Sequence, residues 1–399
     1  MLLQDRPPLH LTYCLNIHPG ESWAENFTAI REKATAVKRL VAPDQPFGLG
    51  LRIAHRAAME LTADAGLREE AREFFAAQQL YPFSINGFPY GRFHAGPVKE
   101  NVYAPDWRTP ERLAYTLQLA DLLAAWLPEG QDGSISTVPG SFKKWIHSDE
   151  DRVQMARNLT EVVLHCAKIE EETGREIHLG LEPEPDCFLE TTPETLRFFE
   201  QTLLPVGGAE IAQRLGCPRA AAEVLLLRHL GVCFDTCHVA LQYEDPAASF
   251  RALRDAGIRI SKVQLSAALC TGSNPESWAA LRRFAEPVYL HQVKGRGLHE
   301  VRYASTDLGP ALDELPRLPE LQELRVHFHV PLFFEGAGVL RSTSGTLTRD
   351  FFDTLRAGAS SHLEIETYTF DVLPPDIRPD DVVESIAREY QWVRHRLAA

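Results

Sequence analysis

The chain has 399 residues, 44% of them hydrophobic, and a formal net charge of −14 with no run rich in Lys or Arg. That length suits one large domain or two ordinary ones, and the acidity argues against a protein that tracks nucleic-acid phosphates, which needs a basic face. Seven scattered cysteines without a CxxC pair, no signal-peptide pattern in MLLQDRPPLHL and no apolar run long enough to span a bilayer lead us to expect a soluble, cytoplasmic protein with free thiols.

Taken in chain order, the rhythm is short apolar strand, polar loop, amphipathic helix. Thr12 to Ile17 reads as a strand, and Trp23, Phe27, Ile30, Ala34 and Val37 follow at helical spacing. Gly48 to Ile53 and Phe83 to Asn86 are the next strands. Thr109-Pro110-Glu111 opens a helix, with a capping hydroxyl and a proline in the first turn, whose stripe is Leu113, Leu117, Ala120, Ala124 and Leu127. Ser134 to Val138 is a fourth strand. The helix marked by Met155, Leu159, Val162, Cys166 and Ile169 stops at Gly174. Ile177 to Glu182, Val232 to Asp235, Ile260 to Leu265, Leu324 to Val330 and Leu363 to Thr367 are further strands. A last helix carries Val383, Ile386, Tyr390, Val393 and Leu397.

Strands alternating with helices imply a parallel sheet, open or closed. The number of units and the lack of a Gly-rich phosphate loop favour a (β/α)8 barrel, and no repeat or linker divides the chain, so residues 1–399 read as a single domain. Nine strand candidates exceed the eight of such a barrel. The surplus lies late in the chain: ISKVQL or LRVHFHV belongs to an insertion, and Tyr289 to Val293 suits a hairpin there.

Period-two alternation separates polar from apolar faces. Glu182 opposes Leu179 and Leu181. Asp235 opposes Val232 and Phe234, while Lys262, Gln264 and Ser266 share a face. His327 and His329 oppose Val326 and Phe328, Glu364 and Glu366 oppose Leu363 and Ile365, and Asn16 and His18 oppose Leu15 and Ile17. Taken singly these have plain explanations. Asp235 suits a helix cap, Glu364 a partner for Arg52 or Lys262, Cys233 and Cys237 small packing residues. NGFPYGRFH reads equally as a cavity wall or as a structural turn. Together, acids at several C-terminal strand ends repel one another unless protonated or bridged by a cation. Oxygen-rich donors suit Mn²⁺, Mg²⁺ or Co²⁺ better than a thiolate-type zinc site.

LGLEPEP, GVCFDTCH, KVQLS and HLEIETYT resemble the ligand-bearing strands of the xylose isomerase-like TIM-barrel superfamily, which includes sugar and sugar-phosphate isomerases and epimerases, dehydratases and endonuclease IV. The resemblance implies Glu182, Asp235, Gln264 and Glu366 as metal ligands, with His329 the rival to Gln264 for the third place. The metal would be Mn²⁺ first, with Mg²⁺, Co²⁺ or Zn²⁺ as alternatives. Glu182 and Glu366 would also be the catalytic acid and base, and His18, His238, Lys262 and His329 would bind substrate. TYCLNIHPGESW, NGFPYGRFH, VKENVYAPDW, ISTVPGS, RVHFHVPLF and ETYTFDVLP resemble EboE, a family of bacterial metabolite traffic proteins. That resemblance implies a small-molecule metabolite as partner, with other Ebo proteins, a prenyltransferase-like one among them. Two expectations follow: a metal-dependent sugar or sugar-phosphate isomerase or epimerase, or a non-catalytic metabolite carrier.

Overall fold

Eight short segments rich in Leu, Ile, Val and Phe pair side by side in the computed structural model, which describes residues 1–94 and 96–398. In chain order they are β1 (Pro8–Tyr13), β2 (Phe47–Arg52), β3 (Leu80–Asn86), β4 (Gly133–Thr137), β5 (Ile177–Leu181), β6 (Leu230–Asp235), β7 (Arg259–Leu265) and β8 (His362–Ile365). Neighbours in sequence are neighbours in space, and β8 pairs in parallel with both β7 and β1. The seam between β1 and β2 closes through a parallel backbone bridge, Cys14 to Gly50, and a 2.9 Å hydrogen bond from Thr12 Oγ1 to the Gly48 carbonyl. Gly50 is required by close approach: a Cβ there would lie 2.8 Å from the Tyr13 carbonyl oxygen and collide with the Glu364 carboxylate. The result is the closed (β/α)8 barrel expected, with strand Leu2–Asp5 folded antiparallel against β1.

The surplus strand is explained by an insertion between β7 and β8. Segments Ala268–Gly272, Val293–Arg296, Val301–Ser305, Glu323–His329, Gly336–Ala337 and Leu340–Ser342 form a second, antiparallel sheet. ISKVQL therefore belongs to the barrel, and LRVHFHV lies inside the inserted sheet. The hairpin joins Val293–Arg296 to Val301–Ser305, so the expected Tyr289–Val293 segment contributes only its last residue. The rest is held as loop by His291, whose ring nitrogens meet Glu286 Oε1 at 2.7 Å and the His327 carbonyl at 2.8 Å.

Three local readings are corrected. The first strand stops at Tyr13, because Leu15–Ile17 forms a single 3-10 turn in which His18 N donates to the Leu15 carbonyl at 3.0 Å. Asn16 and His18 therefore do not share a strand face. Helix Pro110–Trp126 has Thr109 at its cap, but that hydroxyl donates to the Asp106 carbonyl at 2.9 Å and accepts no hydrogen bond from the first turn. Of its expected stripe, Ala120, Ala124 and Leu127 are buried, but Leu113 and Leu117 are only half-buried, and the buried face extends to Arg112, Tyr115, Leu119 and Leu122. The cause is Arg112, fully buried with its guanidinium on the carbonyls of Pro105 (2.7 Å), Gly87 (2.8 Å) and Phe88 (3.1 Å). Elsewhere the periodicity reads correctly. Trp23, Phe27, Ile30, Ala34 and Val37 are buried along Trp23–Ala29, the π turn Ile30–Ala34 and Thr35–Val41, and Gly174 ends Asp149–Thr173 at φ 71°. In helix Val382–Ala398, Ile386, Tyr390 and Val393 are buried. No helix among the described residues is long and apolar enough to cross a membrane.

Candidate metal centre

β5, β6 and β8 each run out at the same end of the barrel, and each delivers a carboxylate there. The backbone continues the sheet for one more residue at Glu182, whose N–H donates to Thr137 (3.0 Å), and at Glu366, whose N–H donates to Leu265 (3.1 Å). One oxygen each of Glu182, Asp235 and Glu366 lie within 4.8 Å of one another, all buried. Gln264 on β7 abuts the group. Turned with its nitrogen toward Glu182, the carboxamide donates to Oε1 at 2.8 Å and Oε2 at 3.2 Å; turned the other way, its oxygen faces only acceptors. The place between these residues calls for a positive partner, either amide hydrogens or a cation.

Asp235 divides its oxygens. Oδ1 accepts from Cys237 N (2.7 Å), His238 N (3.2 Å) and Ser266 Oγ (2.6 Å), capping helix Thr236–Leu241. Oδ2 faces His238 Nε2 at 3.9 Å. Asn16 Nδ2 donates to Glu366 Oε1 at 2.8 Å, and Asn86 Nδ2 approaches the same oxygen at 3.4 Å. Burial and the charges of Asp235 and its fellow acids push Glu182 well above the usual carboxylate range. Burial, then Glu182 and Asp235, push Glu366 up likewise. Burial also opposes charge on Asp235, but the imidazoles of His238 and His329 and hydrogen bonds from Glu366 and Ser266 outweigh it and hold its carboxyl low. Three buried acids that resist sharing negative charge are a donor set that fits a divalent cation.

Glu182 and Glu366 form part of the floor of a cavity of about 50 Å³. Glu184, His238 and His327 complete its polar end, and Phe88, Phe93, Tyr103, Tyr289 and Tyr368 make its wall aromatic. Tyr103 donates to Glu184 Oε1 at 2.9 Å. Burial raises the Glu184 carboxyl to about 8.

The expected site residues divide into two groups. Glu182, Asp235 and Glu366 converge, Gln264 lies against Glu182, and His238 lines the cavity. His329 is buried behind the wall with its Nε2 3.2 Å from His327 Nε2. His18 and Lys262 are displaced from the expected substrate site. His18 Nε2 is 3.0 Å from the Tyr13 hydroxyl. Lys262 is sealed in the barrel interior against Glu364 and Ser84, because a buried ammonium needs a compensating anion. Cys233 and Cys237 are buried thiols whose ionisation burial pushes well up, Cys233 on Gln264 and Cys237 beside Leu241 and Ala268. NGFPYGRFH supplies Phe88 and Phe93 to the wall, whereas Tyr90 stacks on His55 and Arg92 is exposed.

Glu184, Asn16, Asn86, Tyr103, Tyr368 and His327 were not assigned roles from sequence. Three of these carried a signal, Asn16 through its alternation with Leu15 and Ile17. Glu184 repeats the acid of LEPEP, and His327 shares the polar face of HFH.

No protein-family model matches the chain, and no curated protein matches it by sequence. Among solved structures, a xylose isomerase-like TIM-barrel protein from Mycobacterium smegmatis, in complex with magnesium, superposes with a TM-score of 0.53 at 11% identity. That match covers 98% of this chain and 96% of the other. A D-tagatose 3-epimerase-like protein superposes at 0.49 and 13% identity, over 98% of this chain and 100% of that one. An L-ribulose 3-epimerase superposes at 0.48 and 11%, over 98% and 94%. The first of these shows the fold, and identities this low speak to nothing beyond it.

Proposed function

We propose that the chain is a divalent-metal-dependent isomerase or epimerase that moves a proton next to a carbonyl of a small polyhydroxylated metabolite. The observation that carries this reading is the meeting of Glu182, Asp235 and Glu366, from three separate strands, within 4.8 Å, with Glu182 and Glu366 lining a cavity. Those three carboxylates with the Gln264 amide oxygen would hold the cation. A divalent ion there supplies Lewis acidity, lowering the cost of removing a proton beside a carbonyl.

The chain's own residues do the rest. Glu182 and Glu366 take the proton from carbon and return it, as a paired base and acid. Asn16 fixes the Glu366 carboxylate by its 2.8 Å hydrogen bond. His238 and Glu184, at the cavity surface, orient the substrate oxygens, and the aromatic wall excludes water. On this reading all 399 residues act as one unit in the cytoplasm, with Mn²⁺ as the preferred ion.

The test is carbon-bound hydrogen exchange from deuterated water, followed over a panel of ketoses, aldoses and hydroxyacids with Mn²⁺ supplied. Glu366→Gln is expected to lower exchange by at least 100-fold while Tm holds. Equal exchange in Glu366→Gln, or in metal-stripped protein, would refute the reading.

A second reading is supported by the aromatic wall and by the motif resemblance to EboE. It is a metabolite-binding protein of an Ebo-type traffic system that works with other Ebo proteins, a prenyltransferase-like one included. Saturable binding of a panel compound with no exchange and no product would favour it.

A further inference from the structure

The cavity over Glu182 and Glu366, about 50 Å³, has room for a few waters and for no sugar, since pockets that enclose small metabolites start at about 300 Å³. A metabolite therefore reaches those acids only after part of the wall has moved. A second hollow, of about 230 Å³, lies outside that wall. Pro89, Val98 and Val102 line both spaces and form the partition between them.

Val98 and Val102 belong to one short piece of chain, the 3-10 turn Lys99–Tyr103 and the residue before it. Its far end is fixed. Tyr103 is buried in the main core and donates to Glu184 at 2.9 Å, and Arg112 holds the Pro105 carbonyl just beyond. Its near end is held differently. Phe93 and Val98 pack with Tyr289 of the insertion in a small cluster separate from the main core. Val98 N and Lys99 N both donate to the Val288 carbonyl, at 2.7 and 3.1 Å. Lys99 Nζ donates to Asp307 Oδ2 (2.6 Å) and to the carbonyls of Tyr289 (2.7 Å) and Glu286 (3.4 Å). Val288, Tyr289, Glu286 and Asp307 all lie in the insertion between β7 and β8.

Two features make this near end the weak side of the wall. Lys99 sits at φ 44°, in the left-handed region that costs a residue with a Cβ. Its side chain and that of Asp307 are each 25% exposed, so water competes for the link that holds the strained residue. Local opening starts where buried apolar contacts are few and hydrogen bonds are wet.

We propose that Val98–Val102 is a gate. When the contacts of Lys99 break, the segment swings away from the insertion, joins the two hollows and admits a metabolite to the carboxylate centre. The Lys99–Asp307 pair, 208 positions apart in the chain, is its latch. The proposal concerns entry alone and holds for a catalyst and for a carrier.

The test uses the full-length protein and two readouts. The first is residue-resolved amide hydrogen exchange, with Val98 reporting the gate and Gly87, whose N–H donates to the Ser136 carbonyl at 2.9 Å, reporting the barrel end. In the wild type the Val98 amide is expected to exchange at least 100-fold faster than that of Gly87. Lys99→Met is expected to speed it a further 10-fold or more. Asp307→Asn keeps the oxygen that caps helix Leu308–Glu314 and is expected to act in the same direction. The double variant is expected to match Lys99→Met, because both changes remove one link.

The second readout is entry of diethylpyrocarbonate, a reagent of metabolite size that acylates neutral imidazole, followed by peptide mass mapping. His238 lines the cavity, and its acylation is expected to quicken at least 10-fold in Lys99→Met, while that of the exposed His147 stays constant. A Val98 amide that exchanges no faster than Gly87 overturns the proposal. So do variants that leave Val98 or His238 unchanged, or that speed Gly87 by the same factor. Failure of the isomerase reading is a separate result: no panel compound gains deuterium on carbon, while the amide and acylation rates stand as expected.

Discussion

Asp235 shows why a single residue resists a single label. Its Oδ1 satisfies two N–H groups at the start of helix Thr236–Leu241, as a cap does, and that engagement leaves Oδ2 facing His238 Nε2 at 3.9 Å. Capping thus orients the side chain for any ligand role. Glu389 is a different buried acid, accepting from Leu332 N (3.0 Å) and Thr367 Oγ1 (2.7 Å), and burial raises its carboxyl from 4.5 to about 7. Between those values the unfolded chain has released its proton and the folded chain has not. Stability therefore falls as pH rises from about 4.5 to 7 and levels above that, by on the order of 3 kcal/mol. Glu389→Gln is expected to flatten this dependence and to raise Tm at pH 8 more than at pH 4. Parallel Tm profiles of the two proteins across that range would contradict the assignment.

At the scale of elements, the cavity depends on how the segment after β3 is tied down. Arg112 does this from helix Pro110–Trp126, donating to the carbonyls of Gly87, Phe88 and Pro105 at the two ends of the segment that carries Phe88 and Phe93. Arg112→Leu keeps an apolar stem but strips three buried carbonyls of their donor, a loss of about 3 kcal/mol. Limited proteolysis is expected to cut near Gly87 and Pro105 in the variant before global unfolding. A variant as resistant as the wild type would show that the loop holds itself. The inserted sheet acts on the same cavity from the other side. Its strand Glu323–His329 brings His327 and His329 up to His238, a meeting between residues 89 positions apart in the chain.

For the whole molecule, the acids gathered at one end of the barrel set a linkage between ion binding and stability. Glu182, Asp235 and Glu366 repel one another when charged, so a cation that binds the folded chain and not the unfolded one should stabilise it. Tm is expected to rise by several °C as Mn²⁺ is titrated into chelator-treated protein and to fall back on adding excess chelator. A Tm unchanged across the titration would remove the argument for a bound ion.

The barrel was legible in the chain because alternation of short apolar segments with helical periodicity admits few architectures. Asp235, Glu182 and Glu366 were legible because each is a polar residue ending an apolar strand. The sequence by itself thus determined the repeating strand–helix order, the ends of strands at which acids stand, and the helix stop at Gly174. Which of ISKVQL and LRVHFHV enters the barrel was open, since both strands alternate in the same way and only pairing partners distinguish them. Lys262 and His18 carried the right chemistry at the right spacing, yet Glu364 and Tyr13 claim them. Tertiary structure alone decided these points. Strand register, the direction of a buried charge and the meeting of three imidazoles depend on contacts between residues distant in the chain, which local periodicity does not encode.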